Sequence, residues 1–312
     1  VKPPSPELIL HHYAGSPFSE KIRLMLGFKG LAWRSVTVPV ILPKPDVVAL
    51  TGGYRKTPFL QIGADIYCDT ALMARVLEAR QPTPSLYPAS APLAPLLAQW
   101  ADSTLFWTMI PYAMQPAGAA HIFAGAVPEV LKAFAADRKP FTAGMTRKTP
   151  VDAAAALAAD LQALEAQLAD GRPWLFGADA SVADFSVAHC LWYLHRAGPL
   201  VEILAPHRAL TAWLVRMRAI GHGTPEKMGS DEALTVAAGA SGHAPAKVQP
   251  EAGFDAGDLV TVTATDYGRD AVAGTLVGLD ADEVVLSRED PRAGLVHVHF
   301  PRIGYQILKE TP

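Results

Sequence analysis

The sequence predicts a multidomain fold: an α/β part at residues 1–88, an all-helical part at 89–228, a linker at 229–250 and a small all-β part at 251–312. Three observations carry this division. Residues 8–72 read as strand, helix, strand, hairpin and helix. The middle of the chain carries a leucine stripe at helical spacing. Beyond Met228 the chain turns to Ala, Gly, Ser and Pro and then to short alternating segments.

The first element is the apolar run Leu8-Ile9-Leu10, which leads through His11 to Gly15 into Ser16-Pro17-Phe18-Ser19. Ser16 is a natural N-cap and Pro17 suits the first helical position; Phe18, Ile22, Met25 and Leu26 then recur on one helical face. Unpaired N–H groups and the positive end of the helix dipole converge there, so a thiolate beside Ser16 is stabilised by about 1–2 kcal/mol, and the Ser16 hydroxyl adds one more donor. Arg55-Lys56-Thr57-Pro58-Phe59-Leu60-Gln61-Ile62 is a basic turn, a proline and an apolar strand, and Asp65-Ile66-Tyr67-Cys68 runs as a second strand into Asp69-Thr70, the start of the next helix.

These residues resemble the glutathione S-transferase superfamily, and within it the serine-type, tau- and zeta-like classes. Ser16-Pro17-Phe18-Ser19 looks like the family's active-site turn, Thr57-Pro58 looks like the segment around its cis-proline, and Asp69-Thr70 falls where the family usually carries Glu-Ser or Asp-Ser. The resemblance implies a thioredoxin-like N-terminal domain in which Ser16 holds the glutathione thiolate. It implies a glutathione-binding set of Phe18, Lys56, Thr57, Pro58, Asp69 and Thr70. The Thr57 backbone would pair with the cysteinyl unit, Lys56 would lie near the glycyl carboxylate, and Asp69 and Thr70 would hold the γ-glutamyl ammonium and carboxylate. Chemistry agrees with each role. A cis bond before Pro58 would turn the preceding carbonyl and N–H toward an extended peptide, and Thr70 at a helix start offers a carboxylate both hydroxyl and backbone donors.

In the helical part, Leu157, Leu161, Leu164 and Leu168 form a core stripe that ends at Gly171-Arg172-Pro173. Ser181-Val182-Ala183-Asp184 is a capping box with Asp in the place of Glu, which assigns Asp184 to folding. Trp100, Phe106 and Trp107 are the candidate wall for a hydrophobic co-substrate; Trp100 and Trp107, seven apart, would share a helix face.

The last part alternates at Asp258–Ala264, Ala271–Leu279, Glu283–Ser287, Leu295–Phe300 and Tyr305–Leu308, which suggests an SH3-like barrel. From residue 245 onward it holds six basic and eleven acidic residues, a poor phosphate clamp that argues against nucleic acid. His297 and His299 share a strand face, but alternation with Val296, Val298 and Phe300 explains that pattern, and no metal is expected. Adjacent strand residues face opposite ways, so His11 and His12 make no chelating pair. The module, tethered by the linker, is expected to be dispensable for thiol chemistry and to serve contacts between subunits or with a protein partner, covering an edge of its own subunit or reaching across to the other.

Two cysteines, Cys68 and Cys190, lie far apart with no C-x-x-C spacing, which indicates neither a disulfide framework nor a zinc knuckle and points to a reducing, cytoplasmic compartment. A net charge of −3 excludes a general polyanion binder. The proline-rich, polar start and the absence of any unbroken apolar run of membrane-spanning length predict neither secretion nor membrane insertion. The expected activity is glutathione transfer to a hydrophobic electrophile by a homodimer without a metal. Two alternatives use the same residues: a glutathione-dependent isomerase, lyase or dehalogenase, and a non-catalytic scaffold of the same fold.

Overall fold

The computed structural model describes residues 6–250 and 253–310. The first strand, β1 (Ile9–His12), runs into α1 (Pro17–Phe28), and β2 (Ala32–Thr37) returns parallel to β1. After α2 (Pro45–Thr51), the hairpin β3 (Phe59–Ile62) and β4 (Asp65–Cys68) adds antiparallel strands, and α3 (Thr70–Arg80) closes the unit. This is the thioredoxin-like order expected from the sequence. Its core is built from Leu10, Ile22, Met25, Leu60 and Leu77, all fully buried.

The helical domain comprises α4 (Ala94–Trp100), a π-helical stretch Ala101–Leu105, α5 (Phe106–Ala113), α6 (Pro116–Ile122), α7 (Pro128–Phe141), α8 (Pro150–Leu168), α9 (Val182–Leu194), a 3₁₀ stretch Gly198–Leu204 and α10 (Arg208–Ala219). The leucine stripe of α8 is buried as its spacing requires. Asp184 is a core capping group: one carboxylate oxygen accepts from the Leu175 N–H and the Trp213 indole at 2.9 Å each, and the other accepts from the Ser181 N–H at 2.8 Å. Among the described residues no helix is long and apolar enough to cross a membrane.

Three expectations about the rest of the chain need correction. Residues 224–227 form β5 (Thr224–Lys227), which pairs parallel with β2, so the end of the helical part returns to the N-terminal sheet. The stretch expected to be a linker contains α11 (Ser230–Ala238), with Asp231 and Glu232 in its first turn, Gly239 at its end, and Ala233, Leu234 and Ala237 buried. Its alanine content reflects tight packing against its neighbours, and Gln61 Nε2 donates to the Ala233 carbonyl at 2.9 Å.

The third correction concerns the β module: β6 (Leu259–Ala264), β7 (Val272–Leu279), β8 (Glu283–Asp290), β9 (Gly294–Pro301) and β10 (Tyr305–Lys309). The five strands are those expected, and β10 pairs back on β6 as in a small barrel. The module is nevertheless not a tethered body. Strand β9 pairs parallel with β4, so one ten-stranded sheet runs β10-β6-β7-β8-β9-β4-β3-β1-β2-β5. Both β4 and β9 carry edges that would otherwise be open, and joining them satisfies backbone donors and acceptors on each.

Candidate functional site

A cavity of about 1350 Å³ opens at the carboxyl end of β1, lined by Tyr13, Ser16, Thr57, Pro58, Asp69 and Thr70 on one side. Ser16 is placed by its own cap. Its backbone is extended (φ −80°, ψ 123°), its Oγ accepts from the Ser19 N–H at 3.2 Å, and the same hydroxyl donates to the Thr57 carbonyl at 3.3 Å. That contact ties the helix start to the Thr57-Pro58 segment, whose peptide bond is cis. Asp69 caps α3, accepting from the Ala71 N–H at 2.9 Å, and holds φ at +74°, a region that non-glycine residues seldom occupy.

Thr70 has a partner that local sequence patterns do not reveal. Its hydroxyl accepts from Lys21 Nζ at 3.1 Å, Lys21 also pairs with Asp102 Oδ2 at 2.5 Å, and the other Asp102 oxygen meets His189 Nε2 at 3.0 Å. Burial pushes the Asp102 carboxyl up, but Lys21 and His189 outweigh it and hold the group below its ordinary value. With one lone pair engaged by the Lys21 ammonium, the Thr70 hydroxyl keeps its own proton to donate. Lys21 lies on α1 and Asp102 in the π-helical stretch, 81 residues apart. Tyr13, three residues before Ser16, brings a second hydroxyl to the cavity; burial raises its phenol, and neighbouring Arg138 and Arg196 partly offset that.

Phe18 packs its ring 4.7 Å from Phe106 and 4.6 Å from His189, joining the first domain to the second. Phe106 and Trp107 line the cavity. Trp100 does not. The five-residue π turn at Ala101–Leu105 adds about one residue to the helix, which rotates everything beyond it by about 100°, so Trp100 and Trp107 no longer share a face.

The module completes the cavity with Thr265, Asp266, Tyr267, Ile303 and Gly304, so it belongs to the site that it was expected to leave alone. Asp266 Oδ1 pairs with Lys56 Nζ at 2.6 Å, and Tyr305 donates its hydroxyl to Asp69 Oδ2 at 3.1 Å. Burial pushes the Tyr305 phenol well above its ordinary value, which keeps that donor protonated. Tyr267 meets the Trp107 ring edge-on at 4.9 Å and Phe141 at 5.2 Å. Gly268 lets this loop approach: its N–H donates to the Phe141 carbonyl at 2.8 Å, its φ is +59°, and a Cβ there would lie 2.7 Å from the Phe141 ring. Lys56 and Asp69 both line the cavity, each engaged by a partner from the module.

A thioredoxin-like domain with a capped helix start at the head of a cavity, backed by a helical domain, defines a glutathione-transferase-type architecture. The chain matches the family models "Glutathione S-transferase, N-terminal domain" over residues 10–85 and "Glutathione S-transferase, C-terminal domain" over residues 117–216. It is 43% identical to a GST-like protein from Pseudomonas syringae, with 97% of this chain and 99% of that one covered at a TM-score of 0.78. The protein belongs to the glutathione S-transferase family. Glutathione transferase GSTFuA3 from Phanerochaete chrysosporium shares the fold at 18% identity (69% and 98% covered, TM-score 0.55). So does the β-etherase LigF from Sphingobium sp. strain SYK-6, at 19% identity (68% and 95% covered, TM-score 0.51). No curated protein matches the sequence. The high coverage of the Pseudomonas syringae protein includes the β module, whereas the family models end before it.

Proposed function

We propose that the protein is a glutathione-dependent transferase of the serine type. One observation carries the reading: the Ser16 hydroxyl at the start of α1, the Thr57 backbone and the Lys21-backed Thr70 face one cavity. In this reading the γ-glutamyl carboxylate lies at Thr70 and its ammonium at Asp69, the cysteinyl unit pairs with the Thr57 backbone, and the glycyl carboxylate lies near Lys56. The Ser16 hydroxyl turns from the Thr57 carbonyl to the sulfur and, with the helix N-terminus, favours the thiolate. The thiolate attacks an electrophilic carbon; a carbon–sulfur bond forms and the leaving group departs with its electron pair. Serine stays neutral throughout, so its part is to donate a hydrogen bond to the anion.

The co-substrate is bulky, apolar and anionic. Phe106, Trp107, Phe134 and Phe141 supply flat apolar walls, and nine basic side chains line the cavity against three acidic ones in a chain whose net charge is −3. Several of the nine are paired, but Arg196 Nε is buried without a hydrogen-bond partner among the described residues. We assign the same fold a homodimeric state through its first two domains, testable by sedimentation.

A specific observation favours a second reading. Asp69 and Lys56 are engaged by Tyr305 and Asp266, so the peptide-binding groups are partly occupied by the protein's own module, as suits a binding or scaffold protein. Calorimetric titration with glutathione, followed by turnover of a generic aryl halide bearing a carboxylate, separates the two. Binding with turnover supports the transferase and overturns the scaffold; absence of glutathione binding, or binding without turnover of the halide, supports the scaffold and overturns the transferase.

A further inference from the structure

The parallel pairing of β4 with β9 sets Asp65 opposite His297, and the His297 N–H donates to the Ala64 carbonyl at 2.9 Å. The chain after α11 crosses this seam. There the Ala244 N–H donates to Asp65 Oδ2 at 2.8 Å, which brings in His243. The other carboxylate oxygen, Oδ1, lies 3.4 Å from His243 Nδ1, 4.0 Å from His297 Nδ1 and 3.1 Å from His299 Nε2. The His243 and His297 rings stack with centroids 3.6 Å apart, and both Nδ1 atoms are buried without a hydrogen-bond partner among the described residues. Buried ring nitrogens are ordinarily satisfied; two orphans aimed at one carboxylate call for a missing partner.

We propose that Asp65, His243 and His297 form a divalent-metal site that fastens the β module to the N-terminal sheet. One ligand atom from each residue lies within 4.8 Å of the others. Tetrahedral ligands about 2.0–2.2 Å from zinc stand roughly 3.4 Å apart, so His243 and Asp65 already have the needed separation and His297 must close by about half an ångström. Loading also swings the two stacked rings apart, because each must point its Nδ1 lone pair at the ion. Two neutral imidazoles and one carboxylate suit zinc and the first-row ions near it, while calcium and magnesium prefer all-oxygen sets. The two histidine side chains keep 18% and 14% exposure, enough for ion entry and a water as fourth ligand. His299 is a positioning residue. It bridges Asp65 and Glu283, at 3.1 and 3.4 Å, and fixes the carboxylate without a free nitrogen for the ion.

The spacing of His297 and His299 alone gave no reason to expect this site, because the pair that matters joins His297 to two residues from distant segments. The test uses tag-free, chelator-treated full-length protein, titrated with Zn²⁺ by calorimetry and with Co²⁺ by visible absorption. One equivalent of Zn²⁺ should bind and raise the melting temperature, and Co²⁺ should give the intense bands of a four-coordinate site. His297→Ala should lose at least a hundredfold in Zn²⁺ affinity. Since His297 sits in a strand, His243→Gln, in irregular chain, serves as the variant that keeps the fold, with the same loss expected; His195→Ala, exposed at the end of α9, should bind as the parent does. Absence of stoichiometric binding, or Zn²⁺ affinity unchanged in His243→Gln, would overturn the proposal. Neither result depends on glutathione.

Discussion

Replacing Lys21 by Met removes the cation that links the two domains under the site. Its side chain is 1% exposed, and the variant leaves Asp102, 19% exposed, with His189 as its remaining partner. Losing one member of a buried pair costs about 3–5 kcal/mol, and the partial exposure of Asp102 puts the expected value at the lower end, about 3 kcal/mol at pH 7. The sign of the pH dependence follows from Asp102. In the parent its carboxyl sits below its ordinary value, so its contribution is present above the unfolded pKa and is lost as pH falls through the lower folded one. In the variant burial is no longer outweighed by Lys21, the carboxyl protonates more readily, and the deficit shrinks as pH drops toward 4. Urea unfolding of parent, Lys21→Met, Asp102→Asn and the double variant at several pH values measures both effects. The double variant should recover part of the loss, since it leaves no unpaired charge. A single-variant loss below about 0.5 kcal/mol, the size of an ordinary surface substitution, would refute the reasoning, as would a deficit that grows on acidification.

Three other outcomes are expected. Ser16→Ala should lower the bound thiolate fraction and slow the reaction roughly ten- to a hundredfold, about 1.5–3 kcal/mol for one charge-assisted bond, with ionisation read from thiolate ultraviolet absorbance against pH; unchanged ionisation would remove Ser16 from the mechanism. The same substitution should cost about 1 kcal/mol of stability through the lost cap. Asp69→Ala should weaken glutathione binding in calorimetry while sparing the chemistry of what still binds, and equal dissociation constants would sink that assignment. A chain ending at Met228 would uncover the β4 edge and open the cavity, so it should aggregate and lose glutathione affinity; a monodisperse product with full affinity would show that the module is dispensable after all.

Local chemistry determined much of this protein. The cap at Ser16, the proline after Thr57, the turn into Thr70, the leucine stripe of α8 and the Asp184 box are all readable because each is fixed by residues within a few positions of one another. Even α11 carried a signal, the acidic first turn and Gly239, which its Ala- and Gly-rich surroundings obscured. Tertiary structure alone decided the rest. A π turn between Trp100 and Trp107 leaves no mark in apolar spacing, yet it moves one ring out of the cavity. The Lys21–Asp102 pair spans 81 residues and satisfies no local pattern. Whether β9 ends as a free edge or joins β4 depends on which backbone donors still lack partners once both domains have folded, and that pairing brings Asp266, Tyr267 and Tyr305 to the cavity and Asp65, His243 and His297 to one seam. Short-range periodicity encodes elements; the meeting of distant edges and buried charges is settled only by what each must cover or neutralise in the assembled chain.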